Sequence, residues 1–130
     1  MGLREFLSEM KERGQLLVIE REIDPYLEGA RILREKDGEI VLFEKLKGSF
    51  FRAVGGVCSK REYFAYALGI KKEELLGKIS HAIDSPSEPA LSESGPCQEV
   101  VQEEVDLSML PIFTHTSRDM GPYMTSSVFV

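Results

Sequence analysis

The sequence predicts an α/β (α+β) fold in which a small mixed sheet is flanked by helices. Stretches with apolar residues on one helical face alternate with short apolar runs that are rich in β-branched residues. Four helices and two or three strands in this order are typical of a layered domain. A chain of 130 residues is long enough for one such domain with a modest core.

The first helix is predicted over residues 3–13, because apolar residues recur there on one face and Gly14 follows as a C-terminal stop. Residues 15–20 contain the run LLVI, which predicts a buried strand. Asp24 before Pro25 predicts the start of a second helix, since Asp can accept free amide hydrogens and Pro fits the first helical position. Its core-facing residues would be Leu27, Ala30 and Leu33.

Asp37 and Gly38 should end that helix, and residues 39–43 and 50–54 are the next strand candidates. Ser59 with Glu62 forms a capping-box pattern that predicts a third helix ending at Gly69. We expect its inward stripe to consist of Tyr63, Phe64, Ala67 and Leu68. A fourth amphipathic helix is predicted over residues 71–83, with its apolar face formed by Leu75, Leu76, Ile79 and Ile83.

Three regions are predicted along the chain. Residues 1–83 form the α/β domain, and the Ser-, Pro- and Glu-rich residues 84–96 form an exposed linker. Residues 97–130 begin a second domain, with a strand over 99–105 and a helical turn over 106–110 before Pro111. The uncharged stretch YMTSSVFV at 123–130 predicts a further strand. An apolar strand at a terminus leads us to expect that the chain is the front part of something larger.

Composition narrows the functional class. A net charge of −6 argues against a nucleic-acid-binding surface. No apolar run is long enough to span a bilayer, and the N-terminus has no apolar signal core, so a cytoplasmic location is expected. Cys58 and Cys97 fit two reduced thiols better than a secreted disulfide framework, although one bridge between them is an alternative.

The polar loop around His115 is the most interesting candidate site. His115 lies near Arg118 and Asp119, among several hydroxyl side chains. An ordinary polar loop is favoured, because a metal site normally takes three or four ligands, but an independent metal or anion site remains a weaker alternative. Gly55 and Gly56 favour a tight turn over a phosphate cradle, because they lack the spacing of known phosphate-binding motifs.

The other reactive side chains give weaker signals. Cys58 is favoured as an incidental thiol, since no His is close in sequence. His81 is expected in a surface or capping role. The acidic residues Glu99, Glu103 and Glu104 are more typical of a solvated face than of paired catalytic carboxylates. The residues alone therefore predict no catalytic and no metal-binding side chain.

Three segments in order resemble the UbiD family of decarboxylases, and together the matches cover nearly the whole chain: LREFLSEMKERGQLLVIEREIDP, IVLFEKLKG and LPIFTHTSRDMGPYMTSSVFV. The first is similar to the family's opening helix through Leu3, Arg4, Phe6, Leu7, Gly14, Leu17 and Ile19. The last is similar to the segment before the family's cofactor-binding domain through Leu110, Pro111, Ile112, Asp119, Gly121, Pro122, Tyr123 and Thr125.

This resemblance implies reversible, non-oxidative decarboxylation of an aromatic or α,β-unsaturated acid. It further implies prenylated FMN held with a divalent metal (Mn or Mg) and K, with the flavin acting as electron sink. Substrates could include a polyprenyl hydroxybenzoate of the ubiquinone route or a phosphorylated unsaturated acid of an archaeal isoprenoid route. Thr125 and Ser126, on the strand entering the flavin-binding split barrel, match positions near the flavin.

The family's metal-binding and catalytic residues have no counterpart among residues 1–130. The resemblance therefore implies an incomplete β-barrel domain after the linker, and a chain that alone binds no cofactor and is inactive. A second polypeptide could complete the enzyme. Homo-oligomers are also expected, because the last strand would present an unpaired edge. The alternative is a stand-alone oligomerising or binding module derived from that domain.

Overall fold

In the computed structural model, which describes residues 1–124, the chain folds around a three-stranded mixed sheet of order β1-β2-β3. β1 (Leu16–Ile23) runs parallel to β2 (Ile40–Leu46), and β2 pairs antiparallel with β3 (Ala53–Gly55). The described helices are α1 (Leu3–Glu12), α2 (Glu28–Glu35), α3 (Arg61–Leu68) and α4 (Leu75–Asp84). The predicted α/β fold with a small mixed sheet and flanking helices is confirmed.

The core lies on both faces of the sheet, because successive side chains of β2 point in opposite directions. Val41 and Phe43 are fully buried on one face, among residues of α2 and the segment around Phe113. Ile40 is fully buried in a second cluster. That second cluster is formed with α1 and α3 by Phe6, Met10 and Tyr63. Both helical layers are thus held by alternate residues of a single central strand.

Helix α2 begins at Glu28, so the predicted helix start at Asp24 and Pro25 is wrong. The carboxylate of Asp24 accepts a hydrogen bond from the Tyr26 amide at 2.9 Å and another from Lys47 Nζ at 3.1 Å. It therefore organises a turn before the helix. Ala30 is buried as predicted and Leu27 and Leu33 are half-buried, but the periodicity argument missed the buried Ile32.

The predicted capping box of α3 is also wrong. The Ser59 hydroxyl donates to the Gly56 carbonyl at 2.6 Å, and Glu62 forms an ion pair with Lys72. Gly69 ends the helix in the left-handed conformation with φ of +67°, as predicted. The predicted inward stripe holds for Tyr63, but Ala65 is the other buried residue, and Phe64 and Leu68 are exposed.

Helix α4 forms as predicted after a short 3₁₀ turn, Lys72–Glu74, but it buries little. Leu75 is buried, whereas the rest of the predicted apolar face is exposed: Leu76, Ile79 and Ile83. No helix among the described residues is both long enough and apolar enough to cross a membrane.

Residues 99–105 do not form the predicted strand. Val100, Val101 and Val105 are exposed, and no strand of the described sheet runs beside them to supply hydrogen-bonding partners. The predicted helical turn before Pro111 is present as a 3₁₀ turn, Leu107–Met109, whose N-cap Asp106 accepts from the Ser108 amide.

Beyond this turn the chain returns to the sheet, and residues 107–124 are called the returning segment below. The ring of Phe113 packs edge-on against Phe43 with 5.5 Å between ring centroids. It also lies over Gly29, where an added Cβ would come within 2.5 Å of the Phe113 ring. The packing of Phe113 against Phe43, and the absence of a side chain at Gly29, together hold the returning segment on α2 and β2.

Replacing Phe113 with Ala should lower the free energy of unfolding by about 3 kcal/mol, because a buried aromatic ring is lost from the core. Phe50→Ala is the matched control, since Phe50 is 94% exposed and its loss should change stability by less than about 0.5 kcal/mol. Urea unfolding followed by circular dichroism measures both. Equal effects of the two substitutions would contradict the packing role of Phe113.

Substitutions at Gly56 and Gly48 test whether the backbone of Gly56 lies close to that of Glu39. Both have positive φ, +77° for Gly56 and +79° for Gly48. A Cβ added at Gly56 would lie 2.0 Å from the Glu39 carbonyl oxygen, whereas a Cβ added at Gly48 would have no other atom within 4 Å. Gly48→Ala should cost about 1 kcal/mol of unfolding free energy from backbone strain alone. Gly56→Ala should cost about 3 kcal/mol or more. Similar urea midpoints for the two variants would show that the close approach at Gly56 is absent.

Candidate functional site

The returning segment pairs with the turn that precedes α2. Thr114 forms a parallel β-bridge with Tyr26. The Thr114 amide donates to the Pro25 carbonyl, and the Leu27 amide donates to the Thr114 carbonyl, each at 3.1 Å. Thr114 is buried, so these bonds are shielded from water. The loop that follows, which carries His115, is thereby held beside α2.

The carboxylate of Asp119 fixes the shape of this loop. One of its oxygens accepts from the amides of His115 at 3.0 Å and Thr116 at 2.8 Å, and the other accepts from the Thr116 hydroxyl at 2.7 Å. The hydroxyl and amide of Thr116 hold the pKa of Asp119 below its ordinary value, with the His115 amide adding to the effect. Asp119 therefore acts as the internal clamp of the loop.

These hydrogen bonds of Asp119 argue against the alternative in which His115 and Asp119 bind a metal ion. Both oxygens of the carboxylate already accept hydrogen bonds from the loop itself. Residues 1–124 contain no group of three or more His, Cys, Asp or Glu side chains placed to hold a metal ion. The geometry thus favours the polar-loop interpretation of these two residues.

The imidazole of His115 lies between two aromatic rings. Its centroid is 6.4 Å from that of Phe113 and 5.2 Å from that of Tyr123. The Tyr123 amide donates to the Phe113 carbonyl at 3.3 Å, so the chain turns back and brings Tyr123 beside the segment that carries Phe113. Thr125 and Ser126 come after Met124 and lie outside the described residues, so their contact with a flavin stays a prediction.

His115 borders two cavities. One, of about 250 Å³, is lined by residues of β3 and by Phe113, Tyr123 and Leu33. The other, of about 530 Å³, lies between α2 and the loop, and we call it the arginine pocket. It is lined by Tyr26, Leu27, Glu28, Arg31, Arg34, His115, Thr116 and Ser117.

Sequence reasoning missed Arg31 and Arg34. Their spacing places both on one side of α2, but charged residues on an outer helix face are ordinary, and nothing local indicates what they face. The pairing of Thr114 with Tyr26 is what brings the loop across to them.

Two glycines and the cysteines behave as predicted. After β3 the Ser59 amide donates to the Gly56 carbonyl at 3.1 Å, so Gly55 and Gly56 lead into a tight turn. Cys58 and Cys97 are exposed free thiols and form no bridge. His81 is exposed on α4, and so are the acidic residues Glu99, Glu103 and Glu104. The structure does not bring these side chains into the loop around His115.

Two family models match the chain in succession. The 3-octaprenyl-4-hydroxybenzoate carboxy-lyase N-terminal domain matches residues 7–83, and the Rift-related domain of the same enzyme class matches residues 89–130.

Curated relatives include two archaeal enzymes named anhydromevalonate phosphate decarboxylase. The one from Methanosarcina mazei is 35% identical over 130 residues, which is 100% of this chain and 30% of the relative. The one from Methanothermobacter thermautotrophicus is 35% identical over 126 residues, covering 97% of this chain and 29% of the relative. The chain thus spans about a third of the length of these relatives.

Solved structures show the same likeness. The UbiD-class enzyme HmfF from Pelotomaculum thermopropionicum, in an evolved dimeric form in complex with prFMN, superposes with a TM-score of 0.84 and 36% identity over 92% of this chain and 29% of that one. The 3,4-dihydroxybenzoic acid decarboxylase AroY from Klebsiella pneumoniae superposes with a TM-score of 0.79 and 26% identity, over 92% of this chain and 29% of that one. By sequence and by fold, this chain belongs to the UbiD family of decarboxylases.

Proposed function

We propose that this chain is the N-terminal part of a UbiD-type, prenylated-FMN-dependent carboxy-lyase acting on an aromatic or α,β-unsaturated acid. The observation that carries the proposal is the succession of two family matches along one chain, over residues 7–83 and 89–130. The prFMN complex of a solved relative supports the cofactor assignment. The proposed regions remain an α/β domain at 1–83, a linker at 84–96 and the start of the flavin-binding split barrel at 97–130.

Within this proposal, the described residues serve to position the strand that enters the barrel. Phe113 docks on the sheet, Thr114 pairs with Tyr26, and the Tyr123 ring packs at a tilt against His115. Thr125 and Ser126 would then present their hydroxyl groups to the flavin. When bound, the flavin supplies the electron sink for loss of carbon dioxide.

The divalent metal, the K ion and the groups that move protons belong, in this proposal, to the remaining two thirds of the relatives' length. The described residues 1–124 offer no cluster of three metal-ligating side chains. The proposal assigns no catalytic step to these residues. We propose that the chain alone neither holds the cofactor nor decarboxylates, and that further polypeptide, in the same or a second chain, completes the enzyme. A cytoplasmic location stays a prediction.

The second candidate function is a stand-alone oligomerising module. The exposed apolar residues Leu76, Ile79 and Ile83 on α4 favour it, since such a helix face is commonly covered by a partner. Native mass spectrometry of the protein from its source distinguishes the two functions. A complex with a larger flavin-bearing polypeptide supports the decarboxylase, whereas copies of the chain alone without flavin support the module.

A chimera tests the decarboxylase role. This chain replaces the matching 30% of the Methanosarcina mazei relative, and we expect the folded chimera to bind prenylated FMN and to release carbon dioxide. Combined Thr125→Val and Ser126→Ala substitutions should weaken flavin binding about 30-fold, because two hydrogen bonds of about 1 kcal/mol each are lost. Flavin fluorescence and carbon dioxide release provide the measurements.

Ser87→Ala, at an exposed linker position, is the control and should leave flavin binding unchanged. A folded chimera that binds no flavin would count against the proposed function. Unchanged flavin affinity in the Thr125 and Ser126 variant would instead remove only the assignment of those two residues.

A further inference from the structure

The arginine pocket between α2 and the returning segment contains two guanidinium groups, those of Arg31 and Arg34. Neither Arg31 nor Arg34 forms an ion pair within residues 1–124. Glu28 is the carboxylate among the lining residues. Its pKa is lowered mainly by the Asp24 amide and by Arg21, and the nearby charge of Arg31 adds a weaker contribution. Its oxygens accept from Arg21 at 2.7 Å and from the Asp24 amide at 2.9 Å. The pocket therefore offers two guanidinium groups to an anion.

The opposite wall adds hydrogen-bonding groups. It is formed by His115, Thr116 and Ser117 of the clamped loop. The Thr116 hydroxyl is committed to Asp119, but no side-chain hydrogen bond of the His115 ring or the Ser117 hydroxyl occurs in the described part of the chain. Imidazole and hydroxyl groups can both donate to a phosphate oxygen. The two walls thus present complementary donors across one cavity.

The lining of the pocket includes a strained turn. Leu27 has φ of +65° and ψ of −34°, and the Glu28 amide donates to the Tyr26 carbonyl at 2.8 Å across it. Such a γ-turn is rare for a residue with a side chain. It persists because the Leu27 amide and the Pro25 carbonyl are both hydrogen-bonded to Thr114. Strained backbone of this kind clusters at ligand sites.

We propose that the arginine pocket binds the phosphate group of a small phosphomonoester. Arg31 and Arg34 would provide charge-assisted bonds, since guanidinium matches the geometry of phosphate oxygens, and His115 and Ser117 would complete the set. The cavity of about 530 Å³ holds a phosphate together with a short carbon chain. Both archaeal relatives are named for a phosphorylated substrate.

The identification of this ligand with the substrate rests on the proposed function. If the ligand is the substrate, then the substrate is a phosphorylated unsaturated acid and not an unphosphorylated aromatic acid. Binding of phosphate by the chain itself does not depend on that function, so the two parts are measured separately.

The first measurement is a titration of the 130-residue chain with methyl phosphate at constant ionic strength, followed by NMR. We expect saturable shifts at His115 and Ser117, and at least tenfold weaker binding after Arg31→Gln with Arg34→Gln. The matched control is Arg4→Gln with Arg61→Gln, which removes the same charge from two exposed positions outside the pocket. Equal affinities of the pocket and control variants, or no saturation in the parent chain, would overturn the site.

The second measurement uses the chimera with the Methanosarcina mazei relative and its phosphorylated substrate. Arg31→Gln with Arg34→Gln should raise KM at least tenfold and leave kcat and flavin content unchanged. An unchanged KM would overturn the identification with the substrate. A chimera without flavin would overturn the proposed function, while the titration of the chain still decides whether the phosphate site exists.

Discussion

The contact of Phe113 with β2 and α2 is the constraint on which the region around His115 depends. Its ring fills the space left by Gly29 and meets Phe43 edge-on. Because Phe113 and Thr114 are neighbours, the same docking brings the Thr114 backbone to Tyr26 and Leu27. Aromatic burial supplies the stability, and the backbone pairing supplies the register.

Features governed by local chemistry were predictable from the sequence. The first helix, its stop at Gly14, the end of α3 at Gly69 and the turn after β3 follow from apolar periodicity and from the backbone freedom of glycine. The errors arose where a side chain found a more distant partner. Asp24 was expected to cap a helix but binds Lys47, and Glu62 was expected in a capping box but pairs with Lys72.

The sequence pointed to one side of the candidate site, the loop around His115, but not to the other side on α2. The polar residues after Phe113 marked this loop as a candidate site, although an ordinary polar loop was the favoured interpretation. The family resemblance indicated where a flavin would lie. Arg31 and Arg34 carried no such signal, because an outward charge on a helix is ordinary until a distant segment packs against it. Residues 99–105 failed as a strand for a related reason: β-propensity forms a strand only where a neighbouring strand completes its hydrogen bonds.

The pairing of Tyr26 with Thr114 joins two segments that lie far apart in the sequence. Closing so long a loop has a large entropic cost, whereas β1, α2 and β2 are connected by short segments. Docking of the returning segment is therefore expected to follow formation of the sheet and to be a late step in folding. In native protein we expect the same segment to open as a separate cooperative unit, so its amides should exchange with solvent deuterium faster than those of β2. Ligand binding beside His115 would then slow this exchange without any change in the sheet.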